Sequence, residues 1–493
     1  MRKCGCMLFC VLVAVVLMLV ARPVGAQSYR DERVMPEGVM GKRIDSIIGT
    51  VNSGDADRVR RFIEEECTEE FRNFAPMAEH VGVFLEVYRT TGGVDFYGVR
   101  TYEPPRPGQT VVIVKDRMLG SWRGIIVILD QAPEGRVSRL QFSPARSPSD
   151  LPPEDPLTES QFIGEVRKAV ETLCDKNVFS GAILLAKGDE VVFTHVCGEA
   201  SKQYHVPNNL ETKFNLGSMN KMFTATAVAQ LVEKGKLSYD DKISRYVDET
   251  WLPRTITDKI TVQHLLTHTS GLGSYFNETY VKSSRELFRD VDDFKPLVQG
   301  DTLAFEPGAR YEYSNTGMLL LGVVIESVTG GSYFDYIRKN VYQPAGMANS
   351  DSFEMDFPVE NLAMGYSPAP ESQYGWRSNI FQHVIKGGPA GGGFSTVGDL
   401  HRFARALEKG GLVSKESLER MWADHSGAGY GYGFGVETGS NGKVVGHSGG
   451  FDGISGNLDI YVDRGYIVSV LSNYSEGAIA ISNRVGELLA RVK

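Results

Sequence analysis

The sequence predicts an α+β fold: an antiparallel sheet with a large helical region, preceded by a small α+β domain. Three observations predict it. Residues 143–156 hold five prolines in fourteen positions, which neither a helix nor a central strand tolerates, so they read as a linker. Before them, helical spacing gives way to consecutive strand-like runs, the pattern of helices packed on an antiparallel sheet. After them, strand-like runs stand at both ends of a helix-rich stretch, so early and late strands pair in one sheet.

The 493 residues are ample for two or three domains with real cores. Charged residues at 23% and aromatic residues at 10% exclude a wholly disordered chain. The net charge of −9 argues against a nucleic-acid partner, which selects for a basic face.

Residues 1–26 read as a secretory signal peptide rather than as part of the fold. Arg2 and Lys3 precede an apolar run of 15 residues, Met7 to Ala21, and Val24-Gly25-Ala26 supplies the small residues of a cleavage site. The run is short for a membrane span, which needs ~20 residues. An uncleaved anchor is the alternative. Cleavage implies a periplasmic or secreted protein with no remaining membrane span. It also removes Cys4, Cys6 and Cys10 and leaves Cys67, Cys174 and Cys197. Three cysteines make no disulfide framework, although an oxidising compartment permits one bridge. Cys174 and Cys197 share a region and are the favoured pair.

Residues 27–142 form the small domain. Ile44, Ile47, Ile48 and Val51 keep helical spacing, as do Val59, Phe62 and Ile63, with Asp55 or Ser53 as the second cap. Strands follow at Asp95–Tyr102, Thr110–Val114, Arg123–Leu129 and Val137–Phe142. This order weakly resembles the NTF2-like domains, with no motif behind it. Glu79, His80 and Asp95 are its polar candidates, with solvated surface as the plainer reading.

Residues 157–493 form the second domain. A helix at Gln161–Leu173 leads into strands Gly181–Lys187 and Glu190–Val196. Strands return at Gly433–Glu437, Val444–His447, Gly456–Val462 and Tyr466–Ser472. A terminal helix, Ala478–Val492, gathers Ile481, Val485, Leu488 and Leu489 on one face.

Three patterns in this domain carry chemistry. Ser218-Met219-Asn220-Lys221 opens a helix, so the serine hydroxyl and the lysine amine share one face. A neighbouring amine activates a serine nucleophile, and the helix N-terminus favours developing negative charge. Ser440-Asn441-Gly442-Lys443 repeats the pattern, but Asn-Gly between strand-like runs is a hairpin turn whose flanking side chains splay into solvent. Tyr313-Ser314-Asn315 pairs a phenol that can act as a base with an amide that can hold a substrate amide. Tyr275-Phe276-Asn277 matches it but lies in a Gly-rich turn. His447-Ser448-Gly449-Gly450 ends a strand, where glycine permits close approach of a substrate backbone. A backbone N–H there could complete an oxyanion hole with that of Ser218.

Order and spacing add specificity: Tyr313 follows Ser218 by 95 residues and His447 follows Tyr313 by 134. With His264-Leu265-Leu266-Thr267-His268-Thr269-Ser270-Gly271-Leu272, Glu306-Pro307-Gly308 and Gly391-Gly392-Gly393-Phe394-Ser395-Thr396, the second domain resembles the serine β-lactamase and penicillin-binding superfamily. The resembling branch holds class C β-lactamases, D-stereospecific peptidases and related esterases. The resemblance implies the β-lactamase/penicillin-binding (transpeptidase-like) fold. It implies Ser218 as nucleophile, Lys221 as activating amine and Tyr313 as general base and later acid. It implies Asn315, His447 and Gly449 as substrate contacts, and the nitrogens of Ser218 and Gly450 as the oxyanion hole. His447 stands where many relatives have lysine, a stronger cation, which puts efficient β-lactam hydrolysis in doubt but not acyl transfer. Several D-peptidases and esterases of the branch carry histidine there.

The expected activity is hydrolysis of an ester, amide or peptide, including cell-wall-type D-amino-acid peptides, through an acyl-enzyme and without a cofactor. The alternative is a penicillin-binding or partner-binding module with little or no turnover. His264 and His268, four residues apart on an expected helix, lack the His-Glu-x-x-His pattern and a third ligand, so capping and packing outrank metal. No Gly-x-Ser-x-Gly elbow is present, and Gly387–Gly393 lacks the Lys-Ser/Thr of a phosphate loop.

Overall fold

The computed structural model describes residues 28–104, 108–152, 154–369 and 372–493. The leader read in residues 1–26 lies outside them, with Cys4, Cys6 and Cys10. Two compact units make up the described chain. One runs to Val178 and includes Asn483–Lys493, and the other is Phe179–Ser482.

In the first unit, strand β1 (Ser28–Glu32) precedes helices α1 (Gly38–Ser53), α2 (Ala56–Glu66), α3 (Glu69–Phe74) and α4 (Met77–Thr91). Strands β2 (Val94–Glu103), β3 (Thr110–Asp116), β4 (Trp122–Leu129) and β5 (Val137–Pro144) follow. The five strands pair antiparallel in chain order. Ile44, Ile47, Val59, Phe62, Ile63 and Phe84 from the helices pack against Val112, Val114, Ile125 and Val127 of the sheet. Asp55 caps α2 by accepting from Arg58 N at 2.7 Å.

Strand β1 has no apolar alternation, so its sequence does not announce it. Its buried residue is Asp31, which receives the Arg100 guanidinium from β2 at 2.8 Å. Helix α3 is equally silent, for it buries no side chain. Glu79 and His80 are buried rather than solvated. His80 stacks on Phe71 with ring centroids 4.9 Å apart. Asp95 is exposed and accepts from Arg117 at 2.7 Å.

Among the described residues, the proline-rich stretch forms no strand or helix between Pro144 and Glu159, yet it is held to the first unit. Tyr29 donates to the Ser147 carbonyl at 2.9 Å, Ser149 N donates to Asp31 at 2.8 Å, and Tyr97 donates to Asp150 at 2.6 Å. Helix α5 (Glu159–Asp175) starts at a Thr158–Gln161 capping box. It groups with the first unit, and the units divide between Val178 and Phe179. Leu157 N donates to the Arg491 carbonyl at 2.8 Å, which joins the tail to this unit.

The second unit is built on strands β6 (Gly181–Lys187), β7 (Glu190–Cys197), β8 (Gly435–Gly439), β9 (Gly442–Phe451), β10 (Ile454–Tyr461) and β11 (Tyr466–Ser472). Their order is β8-β9-β10-β11-β6-β7, antiparallel throughout, so the early and late strands meet at β11 and β6. Strand β8 begins two residues later than the spacing predicts, because Gly433 has φ +72°, a left-handed conformation that a strand cannot contain. Ser440 and Asn441 form the two-residue hairpin loop between β8 and β9, with Ser440 exposed.

Between the strands lie helices α6 (Asn220–Glu233), α7 (Val262–Leu266) and α8 (Asn315–Thr329). Every residue of α6 from Asn220 to Leu231 is buried, and so is α8 from Thr316 to Ile325. Helices enclosed on all sides are fixed by packing rather than by one apolar stripe, and their N-termini inherit that rigidity. Among the described residues, no single helix is long and apolar enough to cross a membrane.

Candidate active site

Ser218 lies in a 3₁₀ turn, Gly217–Met219, that runs directly into α6. Gly217 makes the turn with φ +50°. Asn215 spans it, accepting from Gly217 N at 2.9 Å and donating to the Gly392 carbonyl at 3.2 Å. Gly392 N donates in turn to the Gly217 carbonyl at 3.0 Å. The loop 387–393 is thus a cradle for the serine turn. Asn220 adds to it by donating to the Gly388 carbonyl at 3.3 Å and accepting from Gly393 N at 3.2 Å.

One turn along α6, the fully buried Lys221 brings its Nζ to three oxygens. They are Ser218 Oγ at 3.0 Å, Asn315 Oδ1 at 2.9 Å and the Ala390 carbonyl. The carbonyl and the amide oxygen can only accept, so they take two N–H bonds. The third position faces a hydroxyl, which can donate. A neutral amine fits this set, with its lone pair on the Ser218 hydroxyl. Burial drives the Lys221 amine well below the usual lysine range and favours that neutral form.

Tyr313 comes from the segment that enters α8. Ser314 caps that helix, accepting from Gly317 N at 2.8 Å and donating to the Gly273 carbonyl at 2.8 Å. Asn315 is therefore the first helical residue, with its amide oxygen on Lys221 and its NH2 donating to Ser274 Oγ at 3.3 Å. The Lys221 Nζ lies 4.8 Å from the centre of the Tyr313 ring. The Tyr313 hydroxyl is buried and makes no hydrogen bond of ordinary geometry among the described residues. Burial raises its pKa far above the usual phenol value, and the nearby Ser218 hydroxyl offsets part of that rise. The phenol is thus held protonated, a proton donor rather than a standing base.

Strand β9 supplies the other wall. A Cβ built on Gly449 would lie 1.9 Å from the Leu216 carbonyl oxygen and 3.1 Å from Ser218 N. One built on Gly217 would lie 2.9 Å from Gly450 N. This junction, open only to glycine, packs β9 closely against the Ser218 turn.

His447 lies on β9 with both ring nitrogens engaged by the protein. Its Nδ1–H donates to the Ser448 carbonyl, so its Nε2 accepts, and the Tyr430 hydroxyl donates to it at 2.9 Å. Burial pushes the imidazole down to about 3, so the ring is neutral. Both nitrogens are occupied within the protein.

The decoy patterns fall elsewhere. Asn277 caps a short helix, accepting from Tyr280 N at 3.1 Å. His264 closes a capping box with Thr261, receiving Thr261 N on Nδ1 at 3.2 Å. Helix α7 stops at Leu266, so His268 lies beyond its end and does not share a helix face with His264. Tyr430 carried no signal in the sequence. The loop 387–393 was visible as a glycine cluster, but its task of presenting carbonyls to Lys221 and Asn220 was not.

Comparison with known proteins gives the family. Residues 165–490 match the Beta-lactamase family model, and the chain belongs to that family. A penicillin-binding protein of Bacillus subtilis (strain 168) is 32% identical over 323 residues, 62% of this chain and 70% of that protein. The crystal structure of a penicillin-binding protein from Bacillus halodurans, 32% identical, superposes with a TM-score of 0.60 over 65% of this chain and 98% of its own. A D-stereospecific amidohydrolase from Streptomyces sp., 26% identical, gives a TM-score of 0.55 over 66% of this chain and 97% of its own. Fold and family together define a serine hydrolase of the β-lactamase type.

Proposed function

We propose that this protein is an exported serine hydrolase that cleaves esters and amides without a carboxylate beside the scissile bond, D-amino-acid derivatives among them, through an acyl-enzyme on Ser218. The observation that carries the reading is the Lys221 amine, buried and bonded to two fixed acceptors, with Ser218 Oγ as its third partner at 3.0 Å. Lys221 takes the serine proton as Oγ bonds to the substrate carbonyl carbon. The Ser218 and Gly450 N–H groups hold the oxyanion. As the intermediate collapses, Tyr313 gives its phenolic proton to the leaving group and regains one from the Lys221 ammonium. Water then attacks the acyl-enzyme by the same route in reverse and frees Ser218.

Neutral His447 bears on the substrate. It provides no positive charge and no spare N–H for a carboxylate. This favours substrates without a carboxylate beside the scissile bond. The relative named a D-stereospecific amidohydrolase supports the D-amino-acid class, and the leader in residues 1–26 supports export.

The test is turnover of p-nitrophenyl acetate and D-alanine p-nitroanilide, beside intact-mass detection of fluorophosphonate and benzylpenicillin adducts. Ester or anilide turnover with one fluorophosphonate adduct, lost in Ser218→Ala and kept in Ser440→Ala, is expected. Benzylpenicillin should acylate slowly by comparison. Labelling that survives Ser218→Ala overturns the assignment.

A further inference from the structure

His268 is buried, and it makes two unfavourable local choices. It directly follows Thr267, the C-cap of α7, in a left-handed conformation with φ +56°. Glycine or asparagine fills that position with less strain. It also buries a ring nitrogen, Nε2, that has no hydrogen-bond partner among the described residues. A buried donor left without a partner forfeits the hydrogen bond it makes with water in the unfolded chain. Neither cost is explained by the helix it follows.

Both are explained by what His268 grips. Its carbonyl accepts from Glu312 N at 2.9 Å, and its Nδ1 accepts from Ser314 N at 3.1 Å. These are the two residues that flank Tyr313. Because Nδ1 accepts, the proton of the neutral ring sits on Nε2, and that nitrogen is the one left unpaired. Burial holds the ring neutral. The ring packs against Tyr313 with centroids 4.3 Å apart, and against Tyr430, the partner of His447, at 4.6 Å. One residue thus fixes the backbone on both sides of the phenol and one face of its ring.

We propose that His268 is a positioning residue that clamps Tyr313 in the orientation needed to hand its proton to the leaving group. This rests on the role given to Tyr313 above. Among the described residues, His268 makes no hydrogen bond to Ser218 or Lys221, so it acts through Tyr313.

The test uses the full chain and p-nitrophenyl acetate. His268→Ala removes the Nδ1 acceptor and the ring, and kcat should fall ~10–100-fold with KM nearly unchanged, as expected for a misplaced catalytic group. His268→Asn suits the left-handed position and offers Oδ1 near the place of Nδ1. It should recover kcat to within about 5-fold of wild type, because the Ser314 bond is restored. In a Tyr313→Phe background, His268→Ala should cost less than about 2-fold, since its target is gone. The proposal is overturned if His268→Ala keeps wild-type kcat, if folded His268→Asn is no better than alanine, or if the loss persists in Tyr313→Phe. If alanine does not fold, asparagine against His268→Gln decides, because glutamine sets its oxygen one bond too far and should remain slow. Ser218→Ala and Tyr313→Phe, assayed alongside, report separately on the catalytic reading. Fluorophosphonate labelling retained by Ser218→Ala indicts that reading and not the clamp.

Discussion

Two neighbouring glycines on β9 should respond in opposite ways to the same small change. In Gly449→Ala the new methyl would lie 1.9 Å from the Leu216 carbonyl oxygen, about 1 Å inside the closest separations real Cβ atoms show. Its obstacle is backbone, so a side chain cannot swing away. Relief requires β9 or the Leu216–Ser218 turn to move by about that distance, which pulls the Ser218 and Gly450 nitrogens out of register. Loss of one oxyanion donor costs ~10²–10³ in kcat, and overpacking costs about 1–3 kcal/mol of stability. In Gly450→Ala the nearest neighbour of the methyl is the Ile454 carbonyl oxygen at 4.0 Å, and the N–H is kept. Its kcat should stay within about 3-fold of wild type, with little change in melting. The assay is kcat and KM for p-nitrophenyl acetate, with thermal melting to separate activity from folding. Equal activity of the two variants, or a less active Gly450→Ala, would refute the junction as described.

Three further outcomes follow from the buried titrating groups. Because the neutral amine of Lys221 is the active form and its pKa lies well below 10.5, kcat/KM should rise with pH and level off well before that value. Burial raises the Tyr313 phenol, so the plateau should extend past pH 10. A falling limb between pH 6 and 9 would contradict this assignment. The His447 imidazole is lowered from 6.5 to about 3 in the folded protein. Its contribution is therefore complete above pH 6.5 and lost as pH falls toward 3, by up to ~1.4 kcal/mol per pH unit. His447→Gln should flatten the melting temperature over that window, measured by calorimetry, and an unchanged slope would exclude His447 as its source. Tyr430→Phe leaves Nε2 of His447 without its donor and should destabilise the fold by about 1–3 kcal/mol in a denaturant titration, while a neutral effect would mean that the bond does not form.

Much of this protein is determined by its sequence alone. Local periodicity placed Gly181–Lys187 and Tyr466–Ser472 at their observed bounds, since alternation or an unbroken apolar run is what a buried strand requires. The order of Ser218, Lys221, Tyr313, Asn315 and His447 was legible because one turn of helix, a capped helix start and a glycine-ended strand are local chemistry. The pairing of β11 with β6 was inferable from strands at both ends of the unit. Tertiary structure alone decided the rest. β1 exists because Asp31 finds Arg100, a partner 69 residues away that no local pattern reveals. The state of Lys221 depends on the Ala390 carbonyl, 169 residues distant, and on a helix buried on every side. The histidine at position 447 was legible as a weaker cation than lysine, but not that Tyr430 and the Ser448 carbonyl occupy both its nitrogens and that burial holds it neutral. A residue type states which charges are available, but only its neighbours and the water it has lost determine which one it carries.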